Sequence, residues 1–138
     1  MGETIKYQLS AVTFYLLTYS IGQTGPFMLY LTIVLFALAA VIGLVILKNW
    51  LTGAHTSRTV VYAHGIFAAL ALVLLVVYFV SHPAGSLRPS LILFVVAALA
   101  GFYMFFQDLK GKFSPVWLAV IHGLVAVSGF VFLLLLVI

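Results

Sequence analysis

The chain has 138 residues, of which 66% are hydrophobic and only 6% charged. A soluble domain carries about 25% charged residues, so water is not the solvent for most of this surface. The net charge is +4, but the basic residues are scattered around helix ends, which reads as a topology signal and excludes a nucleic-acid partner. The chain has no cysteine, so disulfides, thiolate metal sites and iron–sulfur ligation by its own residues are excluded.

Residues 5–21 mix Tyr, Phe, Leu, Ser and Thr without a strand's alternation, which predicts a helix. Ser10, Thr13 and Ser20 would give it a thin polar stripe. This length is at the lower edge of a membrane span, so two readings stay open: an interfacial helix and a fifth span. A cleaved signal peptide fits less well, because Glu3 accompanies Lys6 and no clear small-x-small cleavage site follows. Gly22-Gln23-Thr24-Gly25-Pro26 reads as a turn that closes an N-terminal segment, 1–26.

Residues 27–47 are uncharged and mostly apolar. At about 1.5 Å per residue they reach roughly 31 Å, enough to cross a bilayer core. Lys48, Asn49 and Trp50 close this first helix at an interface, and a polar loop through His55 and Arg58 follows. A second helix is predicted over 59–80. His82, Pro83, Gly85, Arg88 and Pro89 form the next loop. A third helix is predicted over 90–106. The charged loop Asp108 to Lys112 leads to Pro115, which suits the first turn of a fourth helix running to the C-terminus. The expected fold is therefore all-α: an integral membrane four-helix bundle over 27–138, preceded by the N-terminal helix. Trp50 and Trp117 read as interface anchors, Met28 and Met104 as packing residues, and Ser128 as bonding its own helix backbone.

The loops after the first and third helices carry Lys48, Arg58, Lys110 and Lys112, whereas the middle loop carries only Arg88. The positive-inside rule then puts loops 48–58 and 107–115 in the cytoplasm and the C-terminus outside. Shifting the chain by 58 residues lays its second half on its first without a gap. Aligning 33–80 with 91–138 gives 12 identities in 48 pairs, among them His64-Gly65 on His122-Gly123, Gly43 on Gly101 and Ala68 on Ala126. The bundle is thus expected to be two tandem helical hairpins. They are of the same sense, so the repeat is parallel and not inverted.

Each hairpin carries one histidine inside its second helix. His64 lies six residues beyond Arg58 and His122 seven beyond Pro115, so both imidazoles are expected about 8–10 Å below the cytoplasmic surface. Ala68 and Ala126 lie one turn deeper on the same faces. Ala39, Ala40 and Gly43, with Ala97, Ala98 and Gly101, remove side-chain volume from the partner helices at similar depth. Small residues in membrane helices either let backbones pack closely or leave space for a flat ligand. An ionisable residue within a span marks a functional site by default.

This pattern of His64, His122, Gly43 and Gly101 resembles the four-helix membrane-embedded b-type cytochromes. The chain also looks like small bacterial membrane proteins of unassigned function. The first resemblance implies haem b with His64 and His122 as its iron ligands. It also implies Gly43, Gly101, Ala68 and Ala126 along the porphyrin, and Arg58, Lys48, Lys112 and His55 as cations for the propionates. It departs from the two-haem ferric-reductase-like members, because near the opposite face His82 has no partner histidine; one haem is implied. The expected function is electron transfer in a bacterial inner membrane, with a quinone or a membrane protein as partner, alone, as a homo-oligomer or as a complex subunit. Two other readings stand beside it. One is a non-catalytic subunit or assembly factor, with the histidines in structural hydrogen bonds. The other is a small transporter, weakened because no carboxylate lies within the spans. Tyr78, His82 and Arg88 could meet a quinone headgroup, against the commoner reading of an interfacial belt.

Overall fold

The computed structural model describes residues 2–112 and 114–137; along 2–24 it describes the side chains of residues 6–8 and 12–14. Its helices are α1 (Gly2–Thr52), α2 (Arg58–Ser81), α3 (Arg88–Leu109) and α4 (Val116–Leu134), with a short 3-10 turn, Gly85–Leu87, leading into α3. No strand occurs among the described residues. The segments Gly25–Thr52, Arg58–Ser81, Gly85–Leu109 and Val116–Leu134 are long and apolar enough to cross a membrane. A span needs about 20 residues. Large apolar side chains face outward, with Val80 74% and Leu99 65% exposed. Hydrocarbon removes the cost that water would impose on such a surface. By these features the chain is an integral membrane protein.

Residues 5–21 are helical, as expected, but the turn at 22–26 does not form. The helix runs through it, with Pro26 inside. Residues 5–21 are therefore a continuation of α1, and neither a separate interfacial helix nor a fifth span with its own reversal. Pro26 removes one backbone bond and crowds one carbonyl, at about 3 kcal/mol. Ser10 and Ser20 lie outside the described side chains.

Helices α1 and α2 pack as one hairpin and α3 and α4 as another; the hairpins meet along α1–α4 and α2–α3. The turns within the two hairpins, α1–α2 and α3–α4, end in the same way. Gly53 and Gly111 take φ of +69° and +67°. The amides of Ala54 and Lys112 bond back to the carbonyls of Asn49 and Gln107 at 2.8 and 2.9 Å, which is the Schellman arrangement. No atom lies within 4 Å of a Cβ added at either glycine, so a side chain there meets only backbone strain. We expect Gly53→Ala and Gly111→Ala each to cost about 1–2 kcal/mol, read from denaturant unfolding in micelles. Unchanged stability in both would contradict this account of the turns.

The core is narrow, and ten of its buried residues pair at an offset of 58. Thr32 and Ser90, Phe36 and Phe94, Ala39 and Ala97, Ala71 and Gly129, and Leu75 and Leu133 are all buried. Phe36 and Phe94 stack face to face, with centroids 3.7 Å apart and planes 3° apart. Ser90 donates its hydroxyl to the Gly129 carbonyl at 2.8 Å, tying α3 to α4. Thr32 instead bonds the Met28 carbonyl of its own helix. A Cβ on Gly129 would stand 3.2 Å from Leu93 Cβ, so this glycine lets α4 close on α3. Ser128 bonds Leu124 of its own helix, as expected.

Candidate cofactor site

Beside the stacked phenylalanines the two hairpins separate. They leave a cavity of about 1370 Å³, larger than the roughly 300–1,000 Å³ of a usual small-molecule pocket. Its walls come from all four helices, and its mouth from the turns at Gly53 and Gly111. His64 on α2 and His122 on α4 both line it. Their rings meet edge-on, with centroids 6.2 Å apart and planes 76° apart.

Each imidazole is held from the neighbouring helix of its own hairpin. His64 Nδ1 lies 2.9 Å from the Ala39 carbonyl, and His122 Nδ1 lies 2.8 Å from the Ala97 carbonyl. A carbonyl only accepts, so Nδ1 carries the proton and donates. In a ring that is neutral, this leaves the lone pair at Nε2. A metal-binding histidine is usually oriented in this way, through its second nitrogen.

Glycine makes that contact reachable. A Cβ on Gly43 would stand 2.9 Å from His64 Cε1, and one on Gly101 would stand 3.2 Å from His122 Cε1. Gly43 and Gly101 therefore seat the imidazoles directly, besides lining the cavity. Gly65 and Gly123, beside the histidines in sequence, have nothing within 4 Å of an added Cβ.

The other expected residues distribute unevenly. Ala68, Ala126, Arg58, Lys112 and His55 line the cavity, the last three at its mouth; Lys48 does not line it. Trp50 and Met104, read as an anchor and a packing residue, also line it. Tyr62 lines it too and meets Phe105 edge-on. At the opposite end, Tyr78 and His82 stack with centroids 4.7 Å apart. A Cβ on Gly25 would stand 2.8 Å from His82 Nε2, so His82 packs closely on α1. Arg88 is exposed.

Sequence reasoning missed the paired Nδ1–carbonyl bonds. A usable signal was present: each histidine lies 25 residues after the alanine whose carbonyl it meets. It also missed Thr56 and Ser114, which line the mouth and are themselves 58 apart.

Among the described residues, no group of three or more His, Cys, Asp or Glu side chains could hold a metal ion. An ion that needs a full protein ligand set is therefore not served here. A macrocycle that brings its own equatorial nitrogens needs only two axial donors. A metal–imidazole bond is about 2.0–2.1 Å, and a ring nitrogen lies about 1.1 Å from its centroid. Two rings sharing one ion in line thus have centroids roughly 6.3 Å apart. The two centroids here are 6.2 Å apart. Comparison with protein-family models, with curated proteins and with solved structures finds no match.

Proposed function

We propose that this chain is a membrane haem b protein of electron transfer, with one haem held between α2 and α4 by His64 and His122. The observation that carries the reading is the pair of imidazoles, each tied through Nδ1 to the neighbouring helix of its own hairpin and each lining one large cavity. Haem, when bound, supplies one-electron exchange between its ferric and ferrous forms. The chain's own contribution is positional. The Ala39 and Ala97 carbonyls fix the tautomer and direction of each ring, Gly43 and Gly101 admit the rings, and Ala68 and Ala126 keep the walls low. The apolar lining excludes water and so favours the less charged state of a bound iron centre.

The bundle is best read as two tandem hairpin copies related by a two-fold axis along the membrane normal. This is supported by the offset of 58 in the buried pairs, in both Schellman turns and in both histidine bonds. The basic loops put the cavity mouth at the cytoplasmic side of a bacterial inner membrane. A quinone or a partner membrane protein would exchange electrons with the haem, and the chain would act alone, as a homo-oligomer or as a subunit of a respiratory complex. The pattern-level likeness to four-helix b-type cytochromes agrees with this.

A second reading has one observation in its favour. The Nδ1 bonds are themselves interhelical hydrogen bonds, and would suit a structural subunit in which each histidine only holds its own hairpin together. Absorbance separates the two. Protein purified from haem-replete cells should carry a Soret band and, on reduction, the sharp bands of six-coordinate b haem. Colourless protein would leave the structural reading in place.

A further inference from the structure

The two hairpins match at an offset of 58 in the core, the turns and the histidine bonds, but not along the flanks of the cavity. On α2, Tyr62, Ile66 and Val73 line it. Their counterparts 58 residues on, Val120, Leu124 and Val131 of α4, do not. The cavity is therefore wider on one side, toward the seam between α2 and α3. Phe102 of α3 lines it from across that seam.

These side chains also lie on the outer surface of the bundle. Ile66 is 59%, Val73 60% and Phe102 56% exposed. In a chain that spans a membrane, that surface meets hydrocarbon. Side chains that both wall the cavity and face lipid mark the place where the two communicate. At the end nearer the mouth the seam is framed by Tyr62 and Phe105, whose rings meet edge-on with centroids 5.7 Å apart.

The flank selects its occupant. It opens to the bilayer, so the ligand is one that dissolves there. Tyr62, Ile66, Val73 and Phe102 carry no charge, whereas Arg58, Lys112 and Asp108 stand at the mouth. A charged headgroup on this flank would be buried without a partner, which is costly. The aromatic frame offers faces and edges to a flat ring, and the Tyr62 hydroxyl can donate to a carbonyl. Apolar and aromatic walls with few polar groups are the usual form of a small-molecule site.

We infer that this flank is a side entrance from the bilayer and that it takes a lipid-soluble quinone, a neutral flat ring with carbonyl oxygens and an alkyl tail. The ring enters between α2 and α3 against Tyr62 and Phe102, and the tail trails past Ile66 and Val73 into lipid. The inference goes beyond the haem reading and needs no haem; of the two partners named above, it takes the quinone.

The test uses the full chain in phosphatidylcholine vesicles, photolabelled with a decyl-tailed azidoquinone and mapped by mass spectrometry. Label should fall on 62–73 and around Phe102, saturate, and be displaced by unlabelled decyl-quinone but not by decanol. Ile66→Trp/Val73→Trp should fill the entrance and raise the half-saturating concentration about tenfold. Leu124→Trp/Val131→Trp makes the same change at the matching places on α4, which are 63% and 49% exposed, and should leave it within about twofold. Tyr62→Phe should weaken binding about fivefold, the loss of one hydrogen bond. Equal effects of the two double variants, or none in the first, overturn the entrance. Label that never saturates, or that decanol displaces equally well, overturns the quinone as occupant. Unchanged affinity in Tyr62→Phe overturns the seat of the ring at that hydroxyl. Each of these failures leaves a haem spectrum untouched, whereas colourless protein that still labels through α2 removes the haem reading and keeps the entrance.

Discussion

Replacing His64 or His122 with Ala should remove low-spin haem from the purified protein. On the proposed reading each ring is one of the two donors to the iron, and His64 and His122 are the two imidazoles that meet in the cavity. Losing an outer-shell partner typically lowers metal affinity by 10–100-fold, so losing the ligand itself should cost at least about 100-fold. Helix packing should survive, because the rings are only partly buried and the buried Leu75 and Leu133 lie outside the cavity. Haem content and the reduced spectrum measure the loss; circular dichroism checks the fold. Unchanged low-spin haem in either variant would remove that histidine from the site.

Gly43→Ala should weaken haem binding more than Gly101→Ala. The added Cβ would stand 2.9 Å from the His64 ring in the first case and 3.2 Å from the His122 ring in the second. The first distance forces the imidazole away from its seat and lengthens the bond to Ala39. The second asks for a shift of a few tenths of an ångström. A loss of about 10–100-fold is expected for Gly43→Ala, the range for disturbing an orienting partner, and clearly less for Gly101→Ala. Gly65→Ala and Gly123→Ala should be near neutral, since nothing lies within 4 Å. Haem titration of the four variants gives the order. Equal effects at all four positions would mean that the glycines act through general helix flexibility instead.

Much of this architecture was legible from the chain. The four apolar runs have the length that a bilayer requires, and the ungapped offset of 58 pointed to the residues that pair in the core. The N-terminal turn was misread because Gly-Gln-Thr-Gly-Pro is turn chemistry in water. The helix instead runs through it and tolerates Pro26 at the cost of one backbone bond. The histidines stood out because ionisable residues are rare in spans. Their anchors did not, because a backbone carbonyl carries no mark in the sequence and its alignment with a ring depends on the stagger between helices. The same holds for Gly43 and Gly101. Their smallness was visible, but that it seats an imidazole depended on which helix faces which. Thr56 and Ser114 stayed unnoticed because loop hydroxyls are common, and only burial without a partner distinguishes these two.

The central claim is that His64 and His122 share one haem iron. Electron paramagnetic resonance of the ferric protein tests it most directly. Two axial imidazoles in nearly perpendicular planes leave two of the iron's d orbitals almost degenerate, which makes the low-spin signal strongly anisotropic. The rings stand 76° apart, so the account predicts such a signal, with one haem per chain, lost in both His64→Ala and His122→Ala. Absence of haem, or ferric haem that is wholly high-spin, would contradict it.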